Sequence, residues 1–115
     1  MVKTRTPEGE RMSTPVASRI LECTYKGKRE KVEVHLGWPR EEDGHFICDY
    51  EISLAGQTKA YKIGGLDSMQ ALQLALCMLG SMLEALPEAE NWTWNGEPKT
   101  GLPKSLREPI VGSGS

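Results

Sequence analysis

Residues 67–86 form the segment that most constrains the fold of this chain. The segment begins at Asp67, ends at Leu86 and is followed at once by Pro87. At 100° per residue its polar positions occupy an arc of about 100°, and nearly every other position is Leu, Met or Ala. The polar positions are Gln70, Gln73, Cys77, Gly80, Ser81 and Glu84. A helix lying on a sheet needs a narrower apolar stripe. We therefore expect a second layer on one flank of this helix, either the chain's own tail or another protein.

The two ends of this helix are marked in the sequence. Asp67 is a good N-cap residue, and Gln70 three positions later completes a capping-box pattern. Leu66 stands where it could pack on Ala71 as a hydrophobic staple. Pro87 follows the last turn, where a helix does not easily continue. About 20 residues at a rise of 1.5 Å give a helix of roughly 30 Å, enough to cross a four-stranded sheet.

Four segments before the helix carry strand patterns. The third, His45–Leu54, alternates most regularly and is typical of a half-buried antiparallel strand. Short turns containing Gly27 and Gly56 predict hairpins. The four segments are Ser18–Tyr25, Glu30–Leu36, His45–Leu54 and Thr58–Ile63. We predict an α+β domain: a four-stranded antiparallel meander with one long helix (about 67–86) packed across it, in the order ββββα, plus an irregular C-terminal tail.

The length predicts a single domain. A chain of 115 residues buries roughly 65% of the surface that its unfolded form exposes, which suffices for one core. Residues 1–15 are polar and aperiodic, and we expect a disordered N-terminal segment there. We assign 16–110 to the domain and 111–115, which end in Gly-Ser-Gly-Ser, to a linker.

Composition points to a cytoplasmic protein without a cofactor. The mean hydropathy is −0.44, and no apolar run approaches the roughly 20 residues that a membrane span needs. The first residues lack the apolar core of a signal peptide. The three cysteines, Cys23, Cys48 and Cys77, lie in apolar segments and are expected to be small buried hydrophobes.

The sequence contains no recognisable catalytic motif, so we predict a protein that is not an enzyme, with no catalytic, cofactor-binding or metal-binding residues assigned. The alternative is acid–base or metal chemistry at the two histidines, His35 and His45. They would come close if their strands paired, with Glu33 and Asp43 in range. This arrangement lacks the supporting ligands that a metal site normally has.

Nucleic-acid binding is a second alternative. A basic cluster at the first turn comprises Lys26, Lys28, Arg29 and Lys31. However, the net charge is −2, and Glu30 and Glu33 dilute the cluster. Nucleic acid is therefore an unlikely partner, and we interpret the cluster as a solvated hairpin tip.

Two sets of residues are candidates for protein contacts. The first lies in the charged segment 37–44, interpreted as a long loop, and consists of Trp38, Arg40, Glu41, Glu42 and Asp43. Its acidic residues would attract a basic partner, and its tryptophan would act as an anchor. The second set is the apolar flank of the helix, with Leu74, Met78 and Met82 as candidates for self-association, which would give a homodimer.

The entry to the helix resembles that of a family of small bacterial domains of unknown function. The family pattern is glycine, a hydrophobic residue, Asp-Ser, a hydrophobic residue and then Gln-Ala-Leu-x-Leu-Ala-Leu. The matching residues are Gly65, Leu66, Asp67, Ser68, Met69, Gln70, Ala71, Leu72, Leu74, Ala75 and Leu76. The resemblance covers roughly residues 17–95 and implies a bacterial, stand-alone, cytoplasmic protein.

These observations together favour a non-enzymatic protein-binding module, similar to an immunity protein or inhibitor that binds a bacterial toxin. The immunity hypothesis depends on analogy with other small domains of this architecture. The alternatives are a homo-oligomeric structural protein and a small metal- or RNA-binding protein.

Overall fold

The computed structural model describes residues 14–103, which form an α+β domain. The predicted linker 111–115, and all but the last two residues of the predicted segment 1–15, lie outside this range. Between Val16 and Pro103 one helix packs on an antiparallel sheet, as the sequence predicts. The elements are β1 (Ala17–Tyr25), β2 (Lys28–Leu36), β3 (Arg40–Glu42), β4 (His45–Leu54), β5 (Gln57–Gly65), α1 (Ser68–Glu84) and β6 (Ala89–Thr93).

The sheet has six strands, so the prediction of four was wrong. The four predicted strands are β1, β2, β4 and β5, which follow one another as a meander. The two additional strands are β3, which continues the line of β2 along the same edge of β4, and β6, which pairs with the free edge of β1. From one edge to the other, the sheet therefore contains β5, β4, β2, β1 and β6, and β3 lies beside β4 in line with β2.

The segment 37–44 is not a long loop, which corrects the interpretation of its charged residues. Leu36 pairs with Tyr50 and Arg40 pairs with Ile47, so four steps along one strand oppose three along the other. The extra residue forms a β-bulge at Trp38 and Pro39. A proline has no N–H to donate to the sheet, which explains why pairing is interrupted there.

Four hairpin turns of this domain share one backbone conformation. Each consists of two residues, the second a glycine, and both have positive φ, as the type I′ hairpin turn requires. Glycine adopts this conformation without a steric penalty, which fixes the register of the strands on either side. The turns are Lys26-Gly27, Asp43-Gly44, Ala55-Gly56 and Asn95-Gly96.

The core lies between one face of the sheet and a stripe of the helix. The helix contributes four buried residues spaced four apart, Ala71, Ala75, Leu79 and Leu83. The small residues of this stripe come first, where the helix starts directly on the sheet. A Cβ atom on Gly65 would lie 2.6 Å from the backbone nitrogen of Ala71, so only glycine allows this approach. The sheet contributes Leu21, Cys23, Val32, Val34, Leu36, Cys48, Tyr50 and Ile52.

The helix start differs in two respects from expectation. Asp67 caps the helix as predicted and accepts a hydrogen bond from the backbone N–H of Gln70 at 2.8 Å. The Gln70 side chain, however, accepts its hydrogen bond from the N–H of Leu66, at 2.7 Å, rather than from the N–H of Asp67 that a capping box uses. The predicted packing of Leu66 on Ala71 was wrong, since Leu66 is 82% exposed. The backbone of Gly65 occupies the place beside Ala71 where that side chain would have packed.

The chain's own tail covers one flank of the helix. Leu102 packs beside Leu76 and Leu79 above the start of β1 and the end of β2. A Cβ atom on Gly80 would overlap the carbonyl oxygen of Pro103, so the tail lies directly on this glycine. This part of the expected second layer is therefore intramolecular, and the opposite flank of the helix lies toward the edge strand β5.

The two tail tryptophans lie beside β1, in β6 and directly after it. Trp92 and Trp94 are half-buried against the hydrophobic core. The Arg19 guanidinium stacks 3.7 Å from the centre of the Trp94 ring and donates a hydrogen bond to the carbonyl oxygen of Thr100. Arg19 thus joins the start of β1 to the returning tail.

Candidate interaction surface

The exposed apolar side chains are concentrated where the helix begins. Of the five large ones exposed among residues 14–103, three lie there: Trp38 (64% exposed), Leu66 (82%) and Met69 (68%). The other two are Ile20 and Met78. Contiguous exposed apolar groups with a polar rim commonly mark protein contacts.

The sheet register brings these three side chains to one end of the domain. Glu41 pairs with Phe46, and Phe46 pairs with Gly65 on its other side. Two strand spacings therefore separate β3 from the end of β5, about 10 Å. Leu66 follows Gly65 directly, and Trp38 stands in the bulge before β3. We call Trp38, Glu41, Leu66 and Met69 the helix-start surface.

Met69 points toward the β3 side of the helix. It precedes Gly80 by 11 residues, about three full turns, so the two positions share one flank. That flank faces β1 and β2, because the tail on Gly80 lies above these strands. At the helix start the same direction leads toward the Trp38 bulge.

The predicted set Trp38, Arg40, Glu41, Glu42 and Asp43 does not form one continuous loop surface. Side chains alternate along β3, so Arg40 and Glu42 lie on the open face of the sheet and Glu41 lies on the helix side. Trp38 and Pro39 together oppose Cys48, a core residue. Asp43 is at the tip of the hairpin turn.

Arg40 forms ion pairs with two neighbouring carboxylates. Its guanidinium donates to Glu42 at 2.9 Å and to Asp49 on β4. The hydrogen bond and charge of Arg40 hold the pKa of the Glu42 carboxyl below its usual value. Glu41 and Asp43 remain exposed beside this pair, so the β3 hairpin is a predominantly acidic rim to the apolar side chains.

Sequence reasoning missed Leu66 and Met69 as surface residues. The sequence predicts that Leu66 is a helix staple and that Met69 belongs to the apolar surface of the helix. A signal was present for Met69, which lies on the same arc as Gln73 and Gly80 rather than on the stripe of Ala71 and Ala75. For Leu66 no signal existed, because its exposure results from the packing of Gly65.

The predicted self-association residues have unequal exposure. Leu74 is half-buried, and Met78 is 36% exposed. Met82 is largely engaged inside the domain, where it packs against the core and its sulfur accepts a hydrogen bond from the Tyr50 hydroxyl at 3.8 Å. These residues lie on the flank of the helix that the tail leaves uncovered.

The two histidines do not meet, so their expected proximity was wrong. His35 pairs with Glu51 on β4, whereas His45 is at the opposite end of β4 and pairs with Glu42. Six residues of extended strand, about 20 Å, separate the two levels. Among residues 14–103 no group of three or more His, Cys, Asp or Glu is arranged to hold a metal ion.

His35 instead belongs to a polar row on the open face of the sheet. Its Nδ1 lies 2.6 Å from the Ser18 hydroxyl, and its Nε2 lies 3.5 Å from a Glu33 carboxylate oxygen. Ser18, His35 and Glu33 thus follow one another in the same order as the nucleophile, base and acid of a catalytic triad. The pocket bordering Ser18 lies on the other face of β1, beside Val34 and Leu102, and so does not open onto the imidazole. The Ser18–His35 hydrogen bond joins β1 to β2 on the open face.

The basic cluster is partly used within the fold. Arg29 donates hydrogen bonds to the Asn91 carbonyl at 2.7 Å and to the Thr93 hydroxyl at 2.9 Å, and so joins β2 to β6 across β1. It also lies 3.5 Å from Glu22, while Lys26 lies 3.8 Å from Glu88. These pairs leave less positive charge for a phosphate backbone.

All three cysteines are buried as free thiols. Burial raises the pKa of the Cys48 thiol to about 11, and its S–H lies 3.4 Å from the carbonyl oxygen of Gly37, to which it donates. Burial also raises the pKa of the Cys23 thiol. The fold therefore favours the neutral thiol of Cys48 up to a pH near this raised value, and this contribution to stability is lost as the pH rises through about 11.

We expect Cys48 to react with iodoacetamide at pH 8 about 100-fold more slowly in the native protein than in guanidinium chloride, because only the thiolate reacts and its fraction falls with the raised pKa. Mass spectrometry of the labelled peptides would measure the rate at each cysteine. Equal rates for Cys48 in the folded and unfolded chains would contradict its burial.

No curated protein and no solved structure matches this chain. Among the described residues, no helix combines the length and the apolar character needed to cross a membrane. A family model matches residues 17–104, which extend from the first residue of β1 to just beyond the tail segment on Gly80. The match therefore includes every strand, the helix and the covering tail. On this match the chain belongs to the family described as a domain of unknown function, DUF6968.

Proposed function

We propose that this protein is a non-enzymatic protein-binding module that contacts its partner through the helix-start surface. The observation that carries the proposal is the grouping of three exposed large apolar side chains, Trp38, Leu66 and Met69, beside the acidic β3 hairpin. Tryptophan is among the residues most enriched at the energetic centres of interfaces.

The rigidity of the surface supports this proposal. Trp38 is in a bulge held on both sides by paired strands, and Leu66 is fixed by its N–H bond to Gln70. A backbone that is already held in place loses less conformational freedom on binding. The carboxylates of Glu41 and Asp43 would attract a partner with a basic surface and speed its association.

The finer proposal is that this partner is a bacterial toxin and that the protein acts as a cytoplasmic immunity protein or inhibitor. It is supported by the small size of the domain and the acidic rim of the surface. A basic nuclease-type toxin would complement that rim.

The test measures partner affinity for matched variants. The partner would be isolated from nuclease-treated host lysate with tagged protein, and its affinity then measured by calorimetry. We expect Trp38→Ala to weaken the complex about 30-fold or more, since truncating a central anchor removes about 2 kcal/mol or more. Surface substitutions change folding stability by only about 0.5 kcal/mol, so unfolding should be unaffected.

Ile20→Ala is the matched control, because Ile20 is 57% exposed but lies on the open face of the sheet. Its affinity for the partner should equal that of the wild type. If Trp38→Ala and Leu66→Ala both retain full affinity, or if Ile20→Ala weakens binding equally, the helix-start surface is not the binding site.

A second candidate function is self-association. β5 pairs only with β4 among the described strands, and the uncovered helix flank with Leu74 and Met78 lies above this edge. A second copy could extend the sheet there and cover the flank. Light scattering at high concentration would show a dimer in the wild type and a monomer in Met78→Lys. A wild-type monomer would exclude this function.

A further inference from the structure

A groove opens at the end of the helix opposite the helix-start surface. It has a volume of about 120 Å³ and lies between the last turn of α1, the end of β4 and the start of β5. It exists because α1 ends at Glu84, before the β4–β5 hairpin has been covered. The lining residues are Tyr25, Ile52, Leu54, Gln57, Lys59, Tyr61, Met82 and Leu86.

The size of the groove restricts what it can hold. An apolar cavity of about 150 Å³ accepts one benzene molecule. The present groove, at about 120 Å³, is slightly smaller, but it is open on one side, so a single ring or a short aliphatic chain can lie in it and protrude. Tyr25 and Tyr61 provide aromatic surface, and Ile52, Leu54 and Leu86 provide aliphatic surface. The body of a ligand would thus be apolar and no larger than one ring.

The one charged side chain at the groove determines which polar group a ligand could carry. Lys59 is the only charged side chain among the eight that line it. Lys59 pairs across the strands with Ile52, on the helix side of the sheet, so its side chain is on the same face as the apolar lining. No ion pair between described residues involves Lys59, in contrast to Lys26, which is paired with Glu88.

We propose that this groove is a binding site for a small monocarboxylate with an apolar body of about one ring. The body packs on the tyrosines and aliphatic side chains, and the carboxylate pairs with Lys59, while Gln57 can donate a further hydrogen bond. The site is independent of the helix-start surface, because it lies at the other end of α1. Its failure would leave the proposed protein-binding function unaffected.

The experiment titrates phenylacetate into labelled full-length protein and follows binding by NMR. We expect saturable shifts at Tyr25, Tyr61 and the Met82 methyl group, with a Kd of roughly millimolar, as is typical of a ligand of ten heavy atoms with moderate efficiency. Benzylammonium has a similar body with the opposite charge, and it should bind at least about tenfold more weakly.

Two lysine variants test the role of the charge. Lys59→Met keeps an unbranched stem and removes the ammonium group. Because Lys59 is exposed, we expect phenylacetate binding to weaken about three- to fivefold, as loss of an exposed ion pair does. Lys62→Met is the matched control, because Lys62 is on the same strand but on the open face of the sheet, and it should bind like the wild type. Absence of groove shifts at 20 mM phenylacetate (roughly twentyfold above the expected Kd), equal binding of benzylammonium, or unchanged binding by Lys59→Met would each overturn the proposal.

Discussion

We expect Leu79→Ala to lower the free energy of unfolding by about 2–5 kcal/mol, the range for truncating a buried leucine. Leu79 is 1% exposed and lies at the centre of the buried helix stripe. It contacts both layers of the domain, because it faces the sheet and also borders the pocket beside Leu102 of the tail. Its removal would leave a cavity that neither layer can close alone. Urea unfolding followed by circular dichroism would measure the change.

Met78→Ala is the control for this experiment. It changes the neighbouring helix position, removes a side chain of similar size, and introduces the same favourable helix former. Because Met78 is 36% exposed, we expect a loss below about 1 kcal/mol. If the two variants lose the same amount, the helix is rotated relative to the described packing.

The regular part of the fold could be predicted because periodicity and turn chemistry agree there. The four alternating strands and the helix with its Asp67 cap lie close to their predicted limits. Each hairpin has a glycine in a turn that demands positive φ. Local sequence carries enough information wherever one face of an element is buried along its whole length.

The two missed strands depend on distant parts of the chain. β3 is interrupted by the Trp38–Pro39 bulge, so its three residues show no alternation of their own. β6 has a positive φ at its central residue, Asn91, and a register shift against β1. It is held by Arg29, which is more than 60 residues away in sequence. Contacts between residues so far apart in sequence cannot be predicted from a local sequence pattern.

The exposure of the candidate surface was predictable in part. The exposure of Trp38 could be expected, because the charged residues around it in segment 37–44 are poorly suited to a buried position. The exposure of Leu66 and Met69 could not, since it depends on how Gly65 places the helix on the sheet. The groove at Lys59 was also not predictable, because its lining comes from β1, β4, β5 and the helix end.

Substitution of Gly80 tests whether the tail covers the helix. In an isolated helix, Gly→Ala stabilises by about 1 kcal/mol. Here the added Cβ would overlap the Pro103 carbonyl oxygen and lie 3.3 Å from Leu102 Cβ. We therefore expect Gly80→Ala to destabilise the domain by about 1–3 kcal/mol, the usual effect of overpacking. The sign of the change, measured by urea unfolding, is the decisive result.

The matched experiment repeats Gly80→Ala in a Leu102→Ser background. Loss of the Leu102 side chain weakens the attachment of the tail to the helix. The tail can then move away from the added methyl group, so the steric cost of Gly80→Ala falls. The higher helix propensity of alanine then makes up more of the net change in stability. The destabilisation should then shrink or change to stabilisation, a coupling of about 1 kcal/mol or more between two residues in contact. Stabilisation by Gly80→Ala in both backgrounds would show that this flank is open to solvent. The tail would then not be the second layer that the helix composition requires, and a partner molecule would have to provide it.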